Sequence, residues 1–248
     1  MRLFSAAWND LREHYTLAAA YVGAHVLMVC LFRGALAVAA PHIPNVNPPL
    51  WVPALDMGRQ FVLAAGVGLL QAVVFARLGK SIDRPLWKCR DDREAVRRFF
   101  LLWFILNLGM IALEQLHANA LDWRAAEPAM LLEILYFFAF VLVLPIGICV
   151  MYSGRLEWTA LPETLRPLGR QLPLTLRVMA LMALQLALQI ALQKAFAGQF
   201  KDRSAILIPA LTIAPAAFLD CLAFCAMWRV CMIHRQSGDE DTGDFFDF

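Results

Sequence analysis

Residues 129–152 read AMLLEILYFFAFVLVLPIGICVMY, and this stretch decides the fold class. Glu133 is its only charge. Wound as a helix rising about 1.5 Å per residue, it crosses the roughly 30 Å hydrocarbon core of a bilayer. No polar face recurs along it, as one would on a surface helix. In lipid no water satisfies an open backbone, so such a stretch must be helical. Five further segments approach the same length and character: Leu17 to Ala40, Phe61 to Leu78, Phe99 to Leu116, Val178 to Ala197 and Ala205 to Ile233.

Composition agrees. Of 248 residues, 60% are hydrophobic and 17% charged, more apolar than one soluble core requires. The expected fold is all-α, a polytopic membrane bundle of about six transmembrane helices over residues 17–235. An amphipathic interfacial helix precedes it over residues 1–16, and an acidic, disordered tail follows over residues 236–248. Ala37, Val38 and Ala39 imitate a signal-peptide cleavage site. The charged leader through Glu13, the length of the stretch from Leu17 and the presence of Arg33 within it argue instead for a retained helix.

The net charge of +2 points to no nucleic-acid partner. Its distribution orients the bundle, because basic loops stay on the cytoplasmic side. With the N-terminus inside, two Lys or Arg residues precede the first span, eight join the second to the third, four join the fourth to the fifth and two follow the sixth. Those sixteen stand against five on the other side, so both termini are expected in the cytoplasm of a bacterial inner membrane. None of Cys30, Cys89, Cys149, Cys221, Cys225 or Cys231 falls in an expected external loop, so no disulfide framework is expected.

Before the first span, Leu3, Phe4, Ala7, Trp8, Leu11 and Tyr15 recur at helical spacing, with Asn9, Asp10, Arg12 and Glu13 facing away. That pattern suits a helix lying on the cytoplasmic leaflet. Pro41 to Arg59, with five prolines and Trp51, reads as a stiff external connector with an aromatic anchor. The basic loop between the second and third spans suits anionic head groups and topology alike. The tail sets Asp239, Glu240, Asp241, Asp244 and Asp247 beside Phe245, Phe246 and Phe248, the mixture of a docking motif or of plain disorder.

Ionisable groups inside a bilayer cost about 2.5 to 3.5 kcal/mol each on insertion scales, so each needs a partner or a purpose. Arg33, Glu114, Glu133 and Asp220 are such groups. Arg33 is close enough to the outer ends of the spans to snorkel toward Glu114 or Glu133. Asp220 lies roughly 22 Å in from the outer end of its span and is too deep for Arg33. Pro215, five residues earlier, removes a backbone donor. Asp220 is therefore either a protonated acid bonded to a neighbouring helix or a protonatable, substrate-facing group. Gln185, Gln189 and Gln193 fall on one helical stripe, as interhelical glue or as the wall of a polar path.

Glu114 and His117 form an E-x-x-H pair, of which a di-iron bundle needs two, and only one is present. His117 with Glu114 is thus a weak metal candidate, and no cofactor is expected. No G-x-S-x-G, H-E-x-x-H or phosphate-binding loop occurs.

In layout the second half, from Ala129 to Arg235, resembles the YciC-like group of six-helix bacterial inner-membrane proteins. That group is related to the membrane domains beside glycerophosphodiester phosphodiesterases. The shared features are Leu144, Pro145, Ile146 and Gly147 closing the fourth span, a segment with Glu157, Ala160, Leu161, Leu165 and Arg166, two further spans, and a basic exit at Arg229 and Arg235. The family's A-L-x-x-S run is here Ala160, Leu161, Pro162, Glu163 and Thr164. The resemblance implies a non-enzymatic inner-membrane protein and carries over no catalytic residue.

Three functions follow as expectations. The first is a non-catalytic bundle acting through lipid or protein contacts, with the bilayer as one partner and another membrane protein met through the bundle or the acidic aromatic tail. The second is a small permease using Asp220 and the glutamine-lined path. The third is an intramembrane enzyme with Glu114, His117 and Glu133 at the outer surface.

Overall fold

The computed structural model describes residues 2–39, 51–83, 91–122, 126–196 and 207–243, and these form helices with no strand among them. The chain opens with α1 (Arg2–Glu13), which turns through 82° at His14 into α2 (Tyr15–Ala39). Three long helices follow: α3 (Trp51–Ile82), α4 (Asp92–Asp122) and α5 (Ala126–Ser153). A 3-10 turn (Trp158–Ala160) and two short helices, α6 (Leu161–Thr164) and α7 (Arg166–Arg170), lead to α8 (Leu172–Phe196) and α9 (Leu207–Gly243). Five helices, α3, α4, α5, α8 and α9, are long and apolar enough to cross a membrane, and the bent α1–α2 pair makes a sixth candidate. The protein is a multi-pass helical bundle.

Local chemistry sets the helix ends. Asp91 Oδ1 accepts the backbone N–H of Glu94 at 2.9 Å and caps the start of α4. Gly154, at φ 65°, takes the left-handed conformation that stops α5. Pro162 and Pro167 sit in the first turns of α6 and α7, where a missing N–H loses no bond.

Several boundaries depart from expectation. α3 begins at Trp51, ten residues ahead of the apolar stretch, so the external connector ends sooner; Pro53 falls in its first turn, where proline is tolerated. α9 runs unbroken through Pro215 and on to Gly243, so residues 236–243, expected in the disordered tail, extend the helix. Ser237 Oγ bonds the Ile233 carbonyl at 3.0 Å across that extension. The phenylalanines of the tail lie outside the described residues.

α1 also differs. Leu3, Ala7 and Leu11 are buried against the bundle rather than laid in lipid, and α1 packs on α9. Asp10, expected to face away, is buried and paired with Arg229 of α9, Nε to Oδ2 at 2.5 Å and Nη2 to Oδ1 at 2.6 Å. A buried carboxylate needs that compensation. Trp8 and Tyr15 remain exposed, as interfacial aromatics are.

α9 is the axis of the fold and touches α1, α2, α3, α5 and α8. Packing is uneven along it. Fully buried side chains such as Phe75, Phe99, Ile148, Phe224 and Val230 gather in the half of the bundle near α1. Backbones approach closely there and at mid-bundle; a Cβ on Gly68 of α3 would lie 2.9 Å from the Phe104 backbone nitrogen of α4. The other half holds a cavity.

Candidate functional site

Asp220 lies thirteen residues into α9, roughly 20 Å from the end remote from α1. Gln185 of α8 donates from Nε2 to its Oδ1 at 2.8 Å, and the Tyr21 hydroxyl of α2 makes a long 3.5 Å contact to Oδ2. Gln71 of α3 lies against the same Tyr21 hydroxyl. Asn107 of α4 extends the chain, donating from Nδ2 to Gln71 Oε1 at 2.6 Å and to the Trp103 carbonyl at 2.7 Å. One polar network thus links α8, α9, α2, α3 and α4.

The network borders a cavity of about 370 Å³, toward the small end of ligand sites. Asp220 is half-buried, and the cavity is its open side. Gln185, Gln189 and Gln193 of α8 line it from the deep end outward, and Glu114 of α4 lines it as well. Burial falls along the glutamine stripe, from Gln185 through the half-buried Gln189 to the exposed Gln193. The path therefore opens at the end remote from α1. Trp103, Tyr136 and Phe140 give it aromatic surface.

The deep end is closed by rings. Phe75 sits between Tyr21, Trp103 and Phe224, with centroids 5.4, 5.3 and 4.6 Å away. Trp228 continues the column, 5.3 Å from Phe224 and 5.0 Å from Tyr152.

Three buried polar atoms at the cavity have no hydrogen-bond partner: Gln185 Oε1, Trp103 Nε1 and His25 Nδ1. Gln185 and Trp103 are 3% and 1% exposed, so bulk water does not serve them in the closed wall. An unmet buried donor or acceptor costs about 1 to 3 kcal/mol.

Of the residues singled out by sequence, Asp220, Glu114 and the three glutamines come together at this one space. Glu133 is exposed on α5 and does not line it. The Arg33 side chain lies outside the described residues. Of the E-x-x-H pair, Glu114 lines the cavity, and the His117 ring stacks at 6.3 Å on Tyr136, which lines it too. Among the described residues no three His, Cys, Asp or Glu side chains gather as a metal site would require. Tyr21, His25, Gln71, Trp103 and Asn107 belong to the site and were not anticipated. Gln71 and Asn107 did carry a signal, each being an amide well inside an apolar span.

No family model matches the chain, and neither a curated protein nor a solved structure matches it, so the layout resemblance to the YciC-like group is untouched by comparison.

Proposed function

We propose that this protein is a small permease of a bacterial inner membrane, taking up a polar solute in the cavity and using Asp220 as its protonatable, solute-facing group. One observation carries the reading: a polar path lined by three glutamines reaches a carboxylate about 20 Å deep and stops at a plug of rings. Polar side chains inside the membrane that face a cavity mark solute pathways. A cavity open at one end and sealed at the other is one half of an alternating-access cycle.

The charge distribution supports an orientation with both termini in the cytoplasm, which makes the open mouth external. The proton-binding groups facing the cavity are Asp220 and Glu114, with His25 beside them and the Tyr21 hydroxyl on Asp220. Purified protein in vesicles is expected to carry a pH-dependent flux of small polar solutes that Asp220→Asn abolishes while the fold is retained. Wild-type flux in that variant ends the proposal. Labelling of a cysteine placed at Arg155 only from the cytoplasmic face tests the orientation.

A second reading, a non-catalytic bundle acting by contact with lipid or another membrane protein, draws on the elbow of α1 and α2. There Trp8 and Tyr15 are exposed beside an apolar groove floored by Leu11, Ala18 and Phe218. Recovery of a stoichiometric partner or lipid in mild detergent, with no flux, favours that reading.

A further inference from the structure

The permease reading leaves the solute open, and the cavity's own chemistry narrows it. Two carboxylates, Asp220 and Glu114, line the space, and no Lys or Arg is among its described lining residues. A site with that balance attracts cations and repels anions, the more strongly because apolar walls weaken screening. Aromatic faces add to this, since a cation over Trp, Tyr or Phe is held by the ring quadrupole. Tyr136 and Phe140 supply those faces.

The hydrogen-bond inventory goes further. Asp220 accepts Gln185 on one oxygen and Tyr21 on the other. A carboxylate offers about four acceptor positions, so two remain for a solute's N–H groups. The complement of such a site is a molecule with several N–H donors and positive charge.

We infer that the solute is a small organic ammonium ion, with its ammonium on Asp220 and its carbon body against Tyr136 and Phe140. This rests on the permease reading for transport, while binding stands alone. Divalent metal ions are a poorer match, since among the described residues no three His, Cys, Asp or Glu side chains gather into a ligand set.

Calorimetric titration of the purified full chain in nanodiscs separates the alternatives, using four probes of similar size: ethanolammonium, propylammonium, ethylene glycol and glycolate. Ethanolammonium and propylammonium are both expected to bind, and the neutral and anionic probes far more weakly. Asp220→Asn should weaken both cations roughly tenfold or more. Glu114→Gln, at the mouth and away from the network, provides a second variant expected to weaken cation binding if Asp220→Asn fails to fold. Preferential binding of ethylene glycol or glycolate, or cation binding indifferent to both acidic variants, overturns the ammonium assignment while leaving a permease possible. Cation binding with the expected variant pattern but no flux in vesicles overturns the permease and keeps the ligand class.

Discussion

The contact between Asp10 and Arg229 holds α1 against the axis of the bundle, and its two halves should fail unequally. The Asp10 side chain is 11% exposed and the Arg229 side chain 34%. Breaking a fully buried pair by removing one partner costs about 3 to 5 kcal/mol, and an exposed one about 1 or less. This pair lies between those limits, so Arg229→Ala is expected to lose about 2 kcal/mol, stranding the Asp10 carboxylate and removing a cation that also attracts Glu13. Asp10→Ala should lose less, since a long, partly exposed arginine can swing its head to water. At roughly 2 to 4 °C per kcal/mol for a chain of this size, Arg229→Ala lowers the melting temperature by about 4 to 8 °C. A double-mutant cycle followed by thermal unfolding in detergent reads the coupling directly, and about 1 to 2 kcal/mol is expected. Additive single losses, or a larger loss for Asp10→Ala, would refute the account of α1 as a helix clamped by a half-buried ion pair.

Two further outcomes follow from the packing. A Cβ on Gly147 of α5 would stand 2.6 Å from Trp103 Cη2, so Gly147→Ala should push the indole toward the cavity, costing about 1 to 3 kcal/mol in stability and weakening solute binding more than stability alone explains. Gly109→Ala, with nothing within 4 Å of its Cβ, is the silent control, and equal effects from both would defeat the argument. Burial raises the Asp83 carboxyl from its ordinary value, opposed by the nearby Arg235. The unfolded chain therefore releases this proton first, near pH 4, and stability falls as pH rises from there through the higher folded value. Asp83→Asn should remove that fall and be no less stable than wild type at neutral pH; a destabilised variant at pH 7 contradicts the sign.

Legibility tracked the physics of each feature. Span positions were readable because the bilayer enforces length and hydrophobicity on each segment independently. The starts of α3 and α4 were not, because Trp51–Gln60 and Asp92–Arg98 are mixed in polarity and become helical by continuing a helix already nucleated in the span. The same one-dimensional logic placed Gln185, Gln189 and Gln193 on a single stripe and set Asp220 deep in its span. It gave no warning that Asp10 would turn inward. The apolar pattern of α1 fits a lipid surface and a protein surface equally, and only the position of Arg229 on α9 distinguishes them. Tyr21, His25 and Trp103 were invisible for a related reason, since aromatic residues are ordinary in membrane spans and nothing local says which of them meet an acid or a void.

The network around Asp220 also bears on what membrane helices need in order to associate. Near α1 the bundle packs with rings, aliphatic side chains and close glycine contacts, so these helices hold together without buried amides. Polar groups used only as glue would bond each other completely, because a half-satisfied polar cluster in a medium of low dielectric is worse than an apolar one. Here Gln71 with Asn107 and Gln185 with Asp220 satisfy one another in part, yet Gln185 Oε1 and Trp103 Nε1 are left buried without partners in the cavity's wall. Replacing Gln185 by leucine would remove one unmet acceptor and one bond to Asp220 together. If the network is structural, that variant loses stability and nothing else. If the cavity is occupied in function, the variant keeps its fold while the bound solute loses the partner that positions it, and the two outcomes differ in whether binding or melting moves first.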